Sequence, residues 1–197
     1  MRRSTVICVL MMSLLLAGCG TGQEEKGPVD RVLAIRGQYL AAGGCTAALN
    51  VMADYGQRGY YYTMDVTVSG GQTLVEVTAP AEVAGITACL DEAGGSLVYD
   101  GTVLETGMLS DDGLTPLSSV PALLEQVRSG FIASCASENL NGTSALRVLC
   151  RDPVVPAGTG QETTLWFDTQ THGLIQGEIT VDGRRVVLCE FIEFFLT

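Results

Sequence analysis

The sequence predicts a mainly β fold of the α+β kind, an antiparallel sheet of about eleven strands with two short helices available to cover one face. Three observations predict it. From Cys45 onward most segments alternate apolar and polar residues with a period of two. Short turn signals join them, among them Gly70-Gly71, Asn141-Gly142 and Asp182-Gly183, so sequential strands pair as antiparallel neighbours. A sheet of that width with one apolar face cannot stay flat. It must curl into a barrel or half-barrel, or split into two layers.

The chain opens with Arg2 and Arg3, and from Val6 to Leu16 nearly every residue is apolar. This is the layout of an export signal, and an apolar run of about ten residues is too short to span a bilayer as a helix, which needs roughly 20. The run ends at Leu15-Leu16-Ala17-Gly18-Cys19, which closely resembles the bacterial lipobox. That resemblance implies cleavage before Cys19 and a diacylglycerol thioether on it. Two acyl chains meet the requirement for stable anchoring, at about 0.8 kcal/mol per buried CH₂. The chain therefore divides into a signal peptide at 1–18, a lipidated Cys19 with a flexible tether at 19–30, and one folded domain at 31–197. A tether of that length reaches roughly 18 Å, which keeps the domain near the headgroups.

The elements follow in order. Asp30 can cap a short helix in which Val32, Leu33, Ile35, Leu40 and Ala41 recur at helical spacing, ended by Gly43-Gly44. Cys45, Ala47, Leu49, Val51 and Ala53 then form one face of a strand. Tyr60, Tyr62, Met64, Val66 and Val68 form the apolar face of the clearest strand, and Thr73, Val75, Val77 and Ala79 one face of the next, stopped by Pro80. Shorter strands are expected at Gly85 to Asp91, Ser96 to Asp100 and Thr102 to Thr106. Residues 107–119 read as loop. Pro121 suits the first position of a helix of about nine residues that ends at Gly130, too short to form without packing its Leu123, Leu124 and Val127 face. Strands are then expected at Phe131 to Glu138, Ser144 to Arg151, Thr163 to Asp168 with the sole Trp166, Leu174 to Val181, and Arg184 to Phe195.

Charge and cysteine content narrow the function. Beyond the signal the chain keeps all 22 acidic residues but only nine of its 11 basic ones, a net charge of about −13. Such a surface repels phosphate, which excludes a nucleic-acid role. Cys8 leaves with the signal and Cys19 carries lipid. Cys45, Cys89, Cys135, Cys150 and Cys189 remain, none at Cys-x-x-Cys spacing, so neither a redox motif nor a zinc site is supported. Buried free thiols, or one bridge with Cys135–Cys150 as the first pair to inspect, are the two readings.

No catalytic constellation stands out. His172 is the only histidine and lies in an expected turn, so a Ser-His-Asp set has no natural place. Asp111-Asp112 with Glu105 lacks regular calcium-ligand spacing, and the paired glycines read as turns rather than phosphate cradles. No enzyme, cofactor or metal is expected.

Near the C-terminus Leu165-Trp166-Phe167-Asp168, Gly173-Leu174, Glu178-Ile179 and Asp182-Gly183, with Val187 and Phe191 to Phe195, resemble the closing strands of the LolA/LolB-like lipoprotein-carrier family. Val98-Tyr99-Asp100-Gly101 is similar to a strand end of the same family. The resemblance implies a strongly curved sheet forming an unclosed half-barrel, with the two helices over its concave face and an apolar cavity that takes acyl chains. Two positions depart from the family: Ala79-Pro80-Ala81-Glu82-Val83 carries no basic residue, and Ile175 stands where a proline is usual.

The expected cavity wall comprises Leu49, Val51, Tyr60, Tyr62, Met64, Val66, Val68, Val75, Val77 and Trp166. The expected function is a membrane-anchored lipoprotein binding lipid or lipoprotein acyl chains. The alternative is a cell-envelope interaction, sensor or sporulation-type lipoprotein on the same scaffold, with a filled core and an envelope protein as partner.

Overall fold

The computed structural model describes residues 27–91, 94–107 and 112–197. The expected signal, Cys19 and most of the tether lie outside the described residues. Among these residues two helices, α1 (Pro28–Ala41) and α2 (Pro116–Ser129), accompany eleven strands. The strands are β1 (Gly44–Asp54), β2 (Gly59–Ser69), β3 (Gln72–Ala79), β4 (Thr87–Asp91), β5 (Gly94–Tyr99), β6 (Thr102–Gly107), β7 (Ile132–Leu140), β8 (Thr143–Arg151), β9 (Gln161–Asp168), β10 (Leu174–Val181) and β11 (Arg184–Leu196).

All eleven strands form one antiparallel sheet in the order β6-β5-β4-β3-β2-β1-β11-β10-β9-β8-β7. Two meanders, β1–β6 and β7–β11, are thus joined by the long β1–β11 ladder from Cys45↔Leu196 to Ala53↔Val187. β6 and β7 are the two free edges, so the sheet curves without closing. Its tight hairpins share one cause. Gly70-Gly71, Asp100-Gly101, Asn141-Gly142 and Asp182-Gly183 all hold positive φ at both positions, the backbone of a type I′ turn. Register shifts at Ala48/Leu49, Thr63/Met64 and Ile179/Thr180 mark bulges, which bend strands and increase twist.

This strand order dictates where α2 runs. The chain leaves the sheet at β6, one edge, and must re-enter at β7, the opposite edge. A helix of 14 residues carries it about 21 Å along that path. α1 and α2 pack on each other, α1 over β7 and β8, and α2 over β1, β9 and β11. One core cluster unites both helices with the concave face, including Ile35, Leu123, Leu49, Met64, Val75, Leu165 and Ile179.

Both helices are longer than the sequence suggested. α1 begins at Pro28 with Gly27 as N-cap, so the last three residues of the expected tether are already helical. Its inner face is Val32, Ile35 and Tyr39, while Leu33 and Leu40 are 52% and 61% exposed. α2 begins at Pro116, not Pro121. Thr115 and Ser118 form a reciprocal capping box that outweighs the later proline, which lies inside the helix. The expected loop at 107–119 therefore ends four residues early. In the other hairpins the corrections are small; Gly94 and Gly95 belong to β5 rather than to a turn.

All five described cysteines are free. Cys135 pairs with Val148 and Cys150 with Ile132, so the two thiols considered for a bridge do not face each other.

Candidate functional site

The concave face and its two helices form the candidate site. Alternation along β1 to β3 places Leu49, Val51, Met64, Val66, Val75 and Val77 on this face, each no more than 4% exposed. They are core, with Val83, Ile86, Leu114 and Leu117 packed against the same cluster. Tyr60, Tyr62 and Val68 are half-buried on the same side of β2. Tyr60 and Tyr62 stack at 6.4 Å with planes 5° apart, and Tyr55 leans on Tyr60 at 5.9 Å. Trp166 departs from expectation. Its neighbours Leu165 and Phe167 face the core, so the period of two turns the indole to the convex face. There its Nε1 donates to Glu138 Oε1 at 2.5 Å, and Glu138 pairs with Arg147 at 3.3 Å.

Among the described residues, one open space lies elsewhere along the hollow. A cavity of about 10 Å³ sits where α1 and the end of α2 meet β8 and β9. That is room for about one water-sized sphere. Val32, Ile35, Val127, Val148, Leu165 and Phe167 give it apolar walls, and Cys150 joins them. Arg36 and Gln126 are the polar groups on its lining. None of the ten residues expected to form the cavity wall lines it. The signal was present in the sequence: Val148 and Cys150 alternate opposite Leu165 and Thr163 in the β8–β9 ladder, and Val32, Ile35 and Arg36 share one helix face. Sequence reasoning favoured the stronger alternation of β2 instead.

Three sets of contacts hold α1 in place. Arg36 Nε donates to Val127 O at 2.8 Å and its Nη2 to Gly130 O at 2.6 Å. The guanidinium thus satisfies carbonyls at the end of α2 that have no partner within the helix. One turn further along α1, Tyr39 is buried between Phe167 and Phe194 and its hydroxyl donates to His172 O. Burial pushes the Tyr39 phenol well above its ordinary range. Gln38 Oε1 lies 2.9 Å from His172 Nδ1. His172 therefore sits in a turn, at φ 61°, and serves α1. The turn itself is shaped by Asp168, whose carboxylate accepts from the Thr171 and Gln170 N–H groups and is held below the usual carboxylate range, chiefly by the Thr171 bond.

The entry to α2 is tied to both meanders. Tyr55 Oη donates to Leu114 O at 2.7 Å, and Gln161 Nε2 donates to Asp112 O at 2.7 Å. The buried thiols contribute no nucleophile. Burial raises Cys45 and Cys150 to about 11 and Cys189 to about 12, so each stays protonated at neutral pH. Among the described residues no group of His, Cys, Asp and Glu is placed to hold a metal ion. Asp111 of the acidic pair considered for calcium lies outside them. No described helix is long and apolar enough to cross a membrane.

The open eleven-stranded antiparallel sheet, curved around two helices of which α2 runs from one edge to the other, is an unclosed half-barrel. No protein-family model matches the chain, and no curated protein matches it in sequence. Solved structures do. A conserved uncharacterized protein from Thermus thermophilus aligns with TM-score 0.52 at 9% identity, over 87% of this chain and 88% of its own. The lipoprotein LppX of Mycobacterium tuberculosis aligns with TM-score 0.47 at 15% identity, over 86% and 96%. A LolA superfamily protein from Nitrosomonas europaea aligns with TM-score 0.46 at 12% identity, over 84% and 93%. At these identities the likeness concerns the fold.

Proposed function

We propose that the chain is an extracytoplasmic lipoprotein, anchored by lipid on Cys19, that takes an acyl chain into the hollow between its helices and sheet. The observation that carries the reading is the seam where α1, α2, β8 and β9 meet. Its walls are largely apolar, a small cavity already opens there, and one arginine within α1 joins that helix to the C-terminal end of α2. A lipid tail entering this seam would widen it by moving α1 and the end of α2 apart, with burial of CH₂ groups as the driving force. The mechanism is non-covalent: nothing at the seam offers an activated nucleophile.

Two experiments test the reading. Residues 27–197 hold every described strand and both helices around one core, so this segment suits production without the leader. Native mass spectrometry of that segment, purified without detergent, is expected to show a bound acyl lipid. The same segment should take up a hydrophobic dye that added lipid displaces. Repeated absence of both signals removes the lipid-binding reading. The anchor is tested on the full chain. Cys19→Ala should shift it from the membrane fraction to soluble material, and retention at wild-type levels would exclude lipidation as the anchor.

A second reading draws on a different observation. Most of the hollow is filled by core side chains, while the free edge strand β6 shows Val103 and Leu104 at 59% and 60% exposure. An envelope protein could add to such an edge. Loss of every lipid signal, with a protein recovered by cross-linking through β6, would favour it.

A further inference from the structure

Arg36 is a half-buried cation on the wall of an otherwise apolar cavity, and no carboxylate among the described residues lies within ion-pair distance of it. Among the described residues the hydrogen bonds of the guanidinium go to two neutral carbonyls, Val127 O and Gly130 O. A buried charge is normally paired with an opposite one. Carbonyls at a helix C-terminus carry partial negative charge and supply part of that compensation. They leave the fork geometry of the guanidinium, which matches carboxylate and phosphate oxygens, without its preferred partner.

We infer that the ligand of the hollow is a single-chain or open-headed amphiphile with an anionic head, and that this head takes the Arg36 guanidinium from the two carbonyls. The inference rests on the acyl-binding reading above and names the ligand class for the same site. Val32, Ile35, Val127 and Phe167 would line the tail beside Arg36, with the Gln126 amide as a further polar contact on the same wall. Exchange of partners also explains how the seam opens. As the head engages Arg36, the bonds from α1 to Val127 O and Gly130 O break. The C-terminal end of α2 is then free to move from α1, while Tyr39 and Gln38, within one turn of Arg36, keep the C-terminal half of α1 on the His172 turn.

The test compares head groups on one chain length, using residues 27–197 and displacement of a bound hydrophobic dye. The probes are palmitate, 1-palmitoyl lysophosphatidic acid and hexadecan-1-ol. Wild type should bind at least one anionic probe about tenfold more tightly than the alcohol, the difference expected between charge-assisted and neutral hydrogen bonds. Preference for palmitate alone points to fatty acid as the source, and preference for the phosphate alone to a phospholipid. In Arg36→Gln the preference should vanish, each anionic probe binding within about threefold of the alcohol on that same variant. Equal affinity for all three probes in wild type overturns the anionic-head inference but leaves acyl binding standing. Failure of all three to displace the dye, or of the dye to bind, overturns both. The wild-type comparison needs no variant, so a poorly folding Arg36→Gln leaves the inference testable. Arg36→Lys then serves as the second variant and should retain a reduced preference.

Discussion

At the residue scale, the five free cysteines sort by burial rather than by chemistry. Cys45, Cys150 and Cys189 are no more than 1% exposed, and Cys89 and Cys135 are half-buried. A maleimide probe on the native domain should therefore modify Cys89 and Cys135 first, with the other three protected until unfolding. Mass spectrometry of the peptides reads this directly, and early labelling of Cys189 would contradict the packing. The same burial sets a pH dependence. Cys45, Cys150 and Cys189 have folded-state pKa values raised from 9.0 to about 11, 11 and 12. A raised value means the unfolded chain gives up its proton first. Their stabilising contribution is full below about pH 9 and is lost as pH rises through 9 toward 11 to 12. Thermal melts at pH 7, 9, 10 and 11 should show the midpoint falling only above pH 9. A flat profile to pH 11 would mean that the thiols are not buried as described.

At the element scale, one glycine controls how closely α2 approaches the sheet. Gly177 lies on the concave face of β10, between Leu165 and Cys189 in the ladder. A Cβ there would stand 2.5 Å from Leu123 Cδ1 and 2.9 Å from Cδ2. Glycine inside a strand often marks close approach of another element, and here Leu123 of α2 occupies the space. Leu123 is itself fully buried and cannot swing into solvent. Gly177→Ala should destabilise the domain by about 1–3 kcal/mol, read as a lower urea midpoint at unchanged slope. Gly37→Ala on the outer side of α1, where a Cβ meets nothing within 4 Å, is the control. It should be neutral or slightly stabilising, since alanine favours helix more than glycine does. Element types were legible for a plain reason. Strands with strict alternation and Gly-containing hairpins encode period and turn locally, so β2, β10 and the Asn141-Gly142 turn could be read directly. The start of α2 could not, because two prolines competed and only the Thr115–Ser118 capping box decides between them. The inner face of α1 was hidden likewise. Leu33 and Leu40 are as apolar as Ile35, and only the position of the sheet shows which of them turn outward.

At the scale of the whole molecule, the site was less legible than the fold, since it depends on what crosses the sheet and where. Apolar alternation identifies the concave face of β2 but not that core side chains fill it. The cavity found among the described residues lies under the seam of two helices that are separated by the whole first meander. Strand order also fixes how the molecule should unfold. The two meanders share one core and are joined by the β1–β11 ladder, while α2 and its entry segment tie them again through Tyr55 and Gln161. Neither half has an apolar interior of its own, so they should melt together. The chain offers a built-in test. Trp166 reports on β9 in one meander, and the Tyr55–Tyr60–Tyr62 cluster reports on β2 in the other. In urea, tryptophan fluorescence and near-ultraviolet tyrosine signals should follow one coincident transition. Two separated midpoints would show that the halves fold independently and that α2 is a linker rather than part of a common core. Palmitate or lysophosphatidic acid present at about 100 times its Kd should then move both signals together, adding about 2.7 kcal/mol to the unfolding free energy. A shift confined to the tryptophan signal would place the ligand under β8 and β9 without coupling to β2, and the seam would be a local pocket rather than the hinge of the whole half-barrel.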